Sequence, residues 1–330
     1  KNTLAVRLEN LPESSRWYPG AGLYRNVHLI ITEDAYIPVW GTYITTPSVN
    51  EKFAKVNVRT KVVLPEGADP AKYSVETSVW NPNKQKLTAV RTSLAQMKYN
   101  NNQAEQEFVI QAPSLWSPEM PALYSAETRL YEGDKLKDIY TTPFGIRSIE
   151  IIPDKGFFLN GKRTVFKGVC NHHDLGPLGA AVNDAAIRRQ IRILKDMGCN
   201  AIRTSHNMPA PELIRARDEM GMMIMAESFD EWNVAKCKNG YNLLFDEWAE
   251  KDLVNLLHNF RNNPSVVMWC IGNEVPNQWN EGDCKIAKWL QDICHREDPT
   301  RPVTQGMDAP DAVVNNNFAA VMDVAGFNYR

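Results

Sequence analysis

The stretch of residues 265–276, which reads SVVMWCIGNEVP, constrains the fold of this chain more than any other. Its apolar run, 266–271, is too short to cross a membrane and has the length of a strand that is buried on both faces. Such strands belong to parallel α/β sheets, in which the carboxyl ends of the strands carry the chemistry. Asn273 and Glu274 follow the run directly, so Glu274 is a candidate catalytic group. Judged on this pair alone, a solvated loop carboxylate is the simpler interpretation.

Strand and helix patterns alternate from about Phe144 onward. The candidate strands are 164–169, 201–204, 222–226, 266–271, 303–305 and 324–328. The candidate helices between them are 183–197, 211–220, one with Ala249, Leu253, Leu256, Leu257 and Phe260 on a single face, and 286–295. Asn183 or Asp184 can cap the first of these helices, and Gly198 ends it. This βα repetition predicts a (β/α)8 barrel, which needs eight strands, so we expect the sequence to stop two strands short.

Polar residues follow the candidate strands at the same end each time. They are Asn171, His172, His173 and Asp174; Arg203, Ser205, His206 and Asn207; Glu227, Asp230, Glu231 and Trp232; Asn273 and Glu274; and Asn328, Tyr329 and Arg330. In a barrel these strand ends meet in one bowl. Their convergence makes the catalytic interpretation of Glu274 the stronger one.

A bowl of carboxylates, imidazoles, an arginine and aromatic rings suits a sugar, which presents many hydroxyls and an apolar ring face. Hydrolysis of a glycosidic bond uses two carboxyl groups, one of them protonated through a raised pKa. In a retaining enzyme the second carboxylate lies about 5 Å away and attacks the sugar. We therefore predict hydrogen bonds to substrate from His172 and His206, with Asp174 and Asp230 as further binding groups. For His173, a core histidine that is bonded to the backbone is a close alternative.

Other chemistries find less support in the motifs. The histidines do not form an H-x-H or H-E-x-x-H motif. The sequence therefore supports a metal-dependent hydrolase much less than it supports a glycoside hydrolase. No cofactor is required by this interpretation, although Mg²⁺ on Glu227 or Glu231 is left open. The chain has no G-x-S-x-G motif for a serine nucleophile. Its six cysteines lack a C-x-x-C pair, which favours buried free thiols over disulfides or zinc.

The first 144 residues predict β-structure. Alternation of buried and exposed positions marks strands at 54–64, 75–79, 108–110 and 124–128, separated by turn-rich segments such as 100–102. Several short strands at this spacing favour an antiparallel sandwich of the immunoglobulin type. Residues 1–32 carry two further short apolar segments, 4–8 and 27–31, which we interpret as the last strands of another β-domain.

The overall balance of charge excludes some partners. The 330 residues carry a formal net charge of −2, so neither nucleic acid nor an anionic membrane surface is expected as a partner. A carbohydrate is the expected ligand, and a homo-oligomer is left open. Nine tryptophans and eleven tyrosines suit either a core or a surface that stacks against sugar rings.

Six stretches together resemble glycoside hydrolase family 2, the β-galactosidase and β-glucuronidase group. They are W-Y-P-G-A-G-L-Y-R at 17–25, L-W-S-P-E-M-P-A-L-Y at 115–124, F-G-I-R at 144–147, L-N-G-K-R-T-V-F-K-G-V-C-N-H-H-D at 159–174, N-A-I-R-T-S-H at 200–206 and I-G-N-E at 271–274. They run along almost the whole chain in the order of the family. The family's common N-R-H-E appears here as N-H-H-D, which concerns His173 and Asp174.

This resemblance implies a domain order and a set of roles. Residues 1–32 would be the end of a jelly-roll sugar-binding domain, 33–144 an immunoglobulin-like sandwich, and 145–330 a truncated barrel. Glu274 matches the general acid/base, and Asn273 matches its partner for the sugar 2-hydroxyl. His172, Arg203 and His206 match pocket residues, and Tyr329 matches a tyrosine that hydrogen-bonds the nucleophile.

The nucleophile itself is a glutamate after the seventh strand of such barrels, which lies beyond residue 330. We therefore expect a retaining β-galactosidase as the parent protein, and a 330-residue fragment without turnover. The alternatives are a β-glucuronidase or β-mannosidase on the same scaffold, or a non-catalytic carbohydrate-binding protein.

Overall fold

A sandwich of two antiparallel sheets forms the amino-terminal half of the chain. A computed structural model describes residues 3–17, 22–96 and 103–329. Its first seven strands are β1 (Thr42–Val49), β2 (Phe53–Lys61), β3 (Tyr73–Trp80), β4 (Lys86–Ser93), β5 (Gln103–Gln111), β6 (Tyr124–Glu132) and β7 (Lys135–Phe144). They pair in the orders β1-β2-β5 and β4-β3-β6-β7, which confirms the predicted immunoglobulin-like sandwich. The turn-rich segment at 100–102 lies outside the described residues.

Alternation of side chains accounts for the sandwich core. Ala54, Val56 and Val58 on β2 are fully buried and pack against Phe108 and Ile110 of β5. β4 was not predicted because none of its residues is buried, so its sequence carries no apolar alternation.

A small antiparallel sheet connects the sandwich to the barrel. It contains β8 (Ile149–Ile152), β9 (Gly156–Leu159) and β10 (Lys162–Arg163), paired in the order β10-β9-β8. The first barrel strand, β11 (Gly168–His172), begins four residues later than predicted. The reason lies in Asn200, whose side chain binds the Lys167 N–H and the Val165 carbonyl and holds these residues outside the sheet.

The carboxyl-terminal half is a six-stranded parallel sheet with helices on one side. After β11 come α1 (Asp184–Asp196), β12 (Ala201–Ser205), α2 (Pro211–Met220), β13 (Met223–Glu227), α3 (Phe245–Phe260), β14 (Val266–Asn273), α4 (Cys284–Glu297), β15 (Val303–Met307), α5 (Pro310–Asn315) and β16 (Val324–Phe327). The strands lie in sequential order, β11 to β16, and all their pairings are parallel. This confirms the predicted incomplete barrel.

Buried apolar faces fix the helices against the sheet. Ala249, Leu253, Leu256, Leu257 and Phe260 of α3 are all buried, as their spacing predicts. Asn183 caps α1 by accepting a hydrogen bond from the Ala186 N–H at 3.0 Å. Every residue of β14 is buried, which makes it the central strand of this half. No helix among the described residues combines the length and apolarity that a membrane span needs.

The segment before the sandwich differs from its prediction. Residues 3–17 and 22–32 contain no strand, although 4–8 and 27–31 were expected to form two. A strand needs a partner for its backbone hydrogen bonds, and these apolar residues stand exposed without one inside the described chain. The segment instead lies on the barrel, where Val182 N donates to Tyr24 O and Asn239 N donates to Glu13 O.

A buried polar network joins the sandwich to the amino end of β14. Arg147 donates to the carbonyls of Pro264 and Val266, both at 2.7 Å. The carboxylate of Asp298 accepts from the Tyr43 hydroxyl at 2.8 Å and from Arg301 at 2.6 Å. Burial raises the pKa of Asp298, but Arg301 and the hydroxyl donors lower it by more, so the carboxylate stays charged.

Candidate active site

The carboxyl ends of the barrel strands bring several predicted site residues together. His172 ends β11, His206 follows β12, Asn273 ends β14, and Asn328 follows β16. A chain of hydrogen bonds links His206, through the residues described below, to Glu274. The polar residues therefore meet at one rim of the sheet, as expected of strand ends in a barrel.

Glu227, at the end of β13, is the buried anchor of the rim. Its side chain has no exposed surface, and one oxygen accepts from Arg203 Nη2 at 2.7 Å. The other oxygen lies 2.8 Å from His206 Nδ1, and the backbone N–H donates to Thr204 Oγ1. Burial lowers the pKa of Arg203, but Cys270 and Glu227 raise it by more, so the guanidinium stays charged. These bonds to Glu227 fix the orientation of both Arg203 and His206.

Asn273 connects this anchor to Glu274. Its Oδ1 accepts from Arg203 Nη2 and from Asn328 Nδ2, each at 3.1 Å. Asn328 Nδ2 also donates to Glu274 Oε1 at 2.7 Å. Gly306 on β15 makes room for this arrangement, because a Cβ there would lie 2.6 Å from Arg203 Nη2.

Glu274 itself is half-buried and held from two sides. Its backbone adopts φ +46° and donates from N–H to the Gly306 carbonyl at 2.7 Å, which turns the chain sharply at the end of β14. Tyr329 forms a hydrogen bond with the Glu274 carboxylate, and this bond raises the pKa of the tyrosine. The resemblance predicted Tyr329 as a partner of the nucleophile, and within the described chain it binds Glu274.

Asp230 forms a second cluster of charges beside Asn273. It accepts two hydrogen bonds from Arg16, at 2.8 and 3.0 Å, one from Lys236 Nζ at 3.0 Å and one from Asn273 Nδ2 at 3.1 Å. Burial raises the pKa of this carboxyl, but Arg16, Lys236 and Asn273 lower it by more. A substrate hydroxyl would compete with these donors, so the predicted binding role of Asp230 stays a prediction.

Trp17 and three histidines, His172, His173 and His206, line a cleft of about 900 Å³ beside this cluster. The indole ring lies 4.6 Å from the ring of His172 and 5.1 Å from that of His206, measured between centroids. Arg16 covers the indole, with its guanidinium carbon 4.2 Å from the ring. Burial and the neighbouring His206 lower the pKa of His172, which keeps this ring neutral at pH 7.

His173 also lines the large cleft, but its ring is bonded within its own loop, as is the carboxylate of Asp174. His173 Nε2 lies 2.9 Å from the Ala180 carbonyl, which fits the alternative of a histidine bonded to the backbone. Asp174 accepts from the Gly176 N–H within its own loop and lines a smaller cavity with His173. It is absent from the lining of the large cleft, so its substrate-binding role stays a prediction without geometric support.

The two carboxylates considered for Mg²⁺ are already engaged. Glu227 is held by Arg203 and His206, as described. Glu231 accepts from the backbone N–H groups of Lys236 and Asn242, at 2.6 and 3.0 Å. Within residues 3–17, 22–96 and 103–329, no group of three or more metal-ligating side chains converges.

Sequence reasoning missed three residues of the rim. Arg16 and Lys236 bind Asp230, and Gly306 leaves space for Arg203. Asn328, which binds Glu274, was named among the polar residues at the strand ends but was given no role. The six cysteines are free, as predicted, but only Cys270 and Cys294 are buried; Cys170 is exposed because it lies on β11, the edge strand of the sheet.

Family comparisons define the class of this protein. The family described as "Glycosyl hydrolases family 2, TIM barrel domain" matches residues 150–326, and "Glycosyl hydrolases family 2" matches residues 36–147. The chain therefore belongs to glycosyl hydrolase family 2.

Individual relatives carry two different activities in their names. The chain is 39% identical over 361 aligned residues to β-galactosidase BoGH2A of Bacteroides ovatus, with 100% of this chain and 42% of that protein covered. It is 34% identical to a putative β-glucuronidase of Formosa agariphila, with 99% and 29% covered. A crystal structure of a family 2 member from Bacteroides cellulosilyticus superposes with a TM-score of 0.89 at 37% identity, covering 96% of this chain and 40% of that one. The chain thus spans less than half the length of these relatives.

Proposed function

We propose that this chain is the central part of a retaining β-galactosidase in which Glu274 is the general acid/base. The observation that carries the proposal is the setting of Glu274, a half-buried carboxylate at the rim that is oriented by Asn328 and Tyr329. Glu274 does not itself line the large cleft; Asp230, which is bonded to the neighbouring Asn273, does. A rigidly held carboxyl group with an open side is what proton transfer to a leaving oxygen requires.

The second carboxylate is expected from outside residues 1–330. Near Glu274, Glu227 has no exposed surface, and Asp230 accepts four hydrogen bonds from charged and amide donors. Neither can approach the anomeric carbon of a sugar without breaking these bonds. In the proposed reaction a further carboxylate attacks that carbon while Glu274 protonates the departing oxygen. Glu274 then removes a proton from water, which attacks the same carbon and releases both the sugar and the carboxylate.

Asn273 is proposed to bind the sugar 2-hydroxyl. Its Oδ1 is occupied by Arg203 and Asn328, and one of its two amide hydrogens points to Asp230. In the proposed complex the second hydrogen donates to the sugar hydroxyl, although only 1% of the surface of Asn273 is exposed in the described chain. Because Arg203 and Asp230 fix the amide plane, this donor needs no reorganisation when charge develops on the sugar.

The charges at the rim favour a neutral glycone over a glucuronide. Three cations of the rim are paired with carboxylates: Arg16 and Lys236 with Asp230, and Arg203 with Glu227. A fourth, Arg25, lines the cleft and donates to the carbonyls of Met208 and Pro209. Recognition of a sugar carboxylate calls for a cation that is free to bind it. The 39% identity to a β-galactosidase supports the same choice.

Replacing Glu274 with glutamine tests this proposal in the full-length protein. We expect kcat on lactose to fall by about 10²–10⁴-fold, the usual contribution of a general acid. Hydrolysis of 2,4-dinitrophenyl β-galactoside should fall less in its glycosylation step, since that leaving group needs little protonation. Glu281→Gln, an exposed carboxylate in the following loop, is the matched control and should keep wild-type rates.

Two outcomes would contradict the proposal. Near wild-type turnover of lactose by Glu274→Gln would remove Glu274 from the chemistry. A panel of nitrophenyl β-galactoside, β-glucuronide and β-mannoside tests which sugar the site accepts. If the β-glucuronide or the β-mannoside is hydrolysed faster than the β-galactoside, galactose is not the preferred sugar. Sugar binding without hydrolysis of any of them would favour the non-catalytic alternative.

A further inference from the structure

The loop between β13 and α3 carries a lysine that reaches the peptide group in front of Glu274. Lys236 Nζ donates to the Asn273 carbonyl at 2.5 Å and to the Asp230 carboxylate at 3.0 Å. Only 9% of the lysine side chain is exposed. Burial lowers the pKa of Lys236, and the carboxylates of Asp230 and Glu274 oppose this shift. A largely buried cation therefore lies at the base of the turn that presents Glu274.

A buried carboxylate holds the loop in the shape that delivers this lysine. Glu231 is 4% exposed and accepts from the backbone N–H groups of Lys236 and Asn242, at 2.6 and 3.0 Å. Gly240 packs directly against it, since a Cβ at that position would lie 1.9 Å from Glu231 Oε1. Because Glu231 fixes the backbone of Lys236, the ammonium group has little freedom to leave the carbonyl that it binds.

The peptide group between Asn273 and Glu274 is bound at both of its polar atoms. Lys236 binds its carbonyl, and its N–H donates to the Gly306 carbonyl at 2.7 Å. The plane of this peptide sets the direction in which the chain leaves β14. Glu274 then adopts φ +46°, a left-handed conformation that is uncommon for residues other than glycine. Such a conformation persists only where the surroundings hold it, and Lys236 supplies one of the two contacts to this peptide.

We propose that Lys236 is a positioning residue for the general acid/base: its ammonium group fixes the turn that aims the Glu274 carboxyl group at the glycosidic oxygen. The proposal rests on the proposed function, because it requires Glu274 to be the proton donor. Proton transfer needs the donor within hydrogen-bond reach of the departing oxygen, so a displaced carboxyl group loses rate even when it carries its proton. Lys236 acts through the backbone and does not itself bind the sugar.

The side chain of Asn273 is held independently of this lysine. Its amide group bonds to Arg203 and Asn328 through Oδ1 and to Asp230 through Nδ2, each at 3.1 Å. Loss of the Lys236 ammonium group leaves these three contacts in place. The effect of removing Lys236 should therefore fall on protonation of the leaving group more than on the contact between Asn273 and the sugar.

The test compares two galactosides that depend differently on the general acid, in the full-length protein. The leaving group of lactose needs protonation, whereas that of 2,4-dinitrophenyl β-galactoside needs little. We expect Lys236→Met to lower kcat/KM on lactose by about 10- to 100-fold and that on the dinitrophenyl galactoside by less than about threefold. Lys236→Arg, which keeps a cation with several donors, should recover part of the activity on lactose.

Lys238→Met is the matched control. Lys238 lies two positions further along the same loop with 76% of its side chain exposed, and its replacement should alter neither substrate. Equal losses on both substrates in Lys236→Met would overturn the proposal, because they would place the effect of Lys236 on the loop or on Asn273. Unchanged hydrolysis of lactose would overturn it as well. If Lys236→Met does not fold, Lys236→Gln, which is shorter and uncharged, takes its place in the same comparison.

Glu274→Gln, measured beside these variants, separates failure of this proposal from failure of the proposed function. A large loss on lactose in Glu274→Gln with equal losses on both substrates in Lys236→Met would refute the role of Lys236 alone. Near wild-type turnover of lactose by Glu274→Gln would refute the proposed function, whatever the lysine variants show.

Discussion

Each end of β14 carries a buried polar network, and only the network at the carboxyl end leads to a group that is open to solvent. At the amino end, Arg147, Arg301 and Asp298 bind carbonyls, hydroxyls and each other, and the structure leaves them no surface for a ligand. At the carboxyl end, Arg203 and Glu227 are bound just as tightly, but they lead to Glu274, which keeps an open side. The same kind of interaction joins two domains at one end and, at the other, orients the carboxylate that we propose as general acid/base.

The largest expected effects come from replacing one buried arginine in each network, Arg203 or Arg301. Arg203→Met and Arg301→Met each leave a buried carboxylate without its cation, which costs about 3–5 kcal/mol of unfolding free energy. Only Arg203→Met should also lower kcat of the folded protein, by about 100-fold, because Asn273 and His206 lose their orientation.

Urea denaturation and kcat at low temperature measure these two effects. Lysine variants at both positions serve where the methionine variants fail to fold. A loss of kcat in Arg301→Met as large as that in Arg203→Met would erase the distinction between the two ends.

The pH dependence of stability gives the next largest effect, and it concerns the amino end. Asp218 accepts from Ser265 N at 2.9 Å and from Asn263, and burial raises its pKa to about 6 despite these bonds and the nearby Arg147. Because the folded pKa exceeds the unfolded value of 3.8, the contribution of Asp218 is fully present below about pH 4 and is lost as the pH rises through 6. The change amounts to about 3 kcal/mol.

The difference in unfolding free energy between the wild type and Asp218→Asn, measured from pH 4 to 7, tests this expectation. The wild type should lose about 3 kcal/mol relative to the variant over this range. A difference that does not vary with pH would show that Asp218 titrates normally. Any hydrogen bond that the variant loses shifts the difference in unfolding free energy by the same amount at every pH, so it does not affect the pH dependence.

Alanine substitutions at two glycines, one near each end of β14, should give the smallest effects, one on stability and the other on kcat. A Cβ at Gly145 would lie 2.5 Å from Pro264, and one at Gly306 would lie 2.6 Å from Arg203 Nη2. Overpacking of this kind costs about 1–3 kcal/mol. Gly145→Ala should lower the melting temperature and leave kcat unchanged, because it forces the sandwich away from the barrel. Gly306→Ala should lower kcat with a smaller change in melting temperature, since the guanidinium can move but Asn273 then loses its partner.

Sequence patterns predicted the elements of the barrel well, because those elements are set by local periodicity. The helix predicted at 211–220 and the central strand that starts at Val266 begin where the structure has them. Neither prediction depends on where distant residues lie.

Errors arose where structure depends on distant residues. The segments 4–8 and 27–31 have strand-like sequences, yet a strand also needs a neighbour, and none lies beside them among the described residues. The substrate-binding role of Asp174 stays a prediction; its side chain accepts from the Gly176 N–H, a contact that its position after a strand does not reveal. Nothing local in the sequence around Arg16 or Lys236 indicates that both bind Asp230.

The pair formed by Arg16 and Asp230 has a consequence for how the protein is made. Its two members are 214 positions apart in the chain. During synthesis the segment that carries Arg16 leaves the ribosome early. Arg16 cannot form its ion pair until β13 and Asp230 have also been synthesised. The rim is therefore completed late, and an intervening sandwich has time to fold first, since domains fold as units while the chain is still growing.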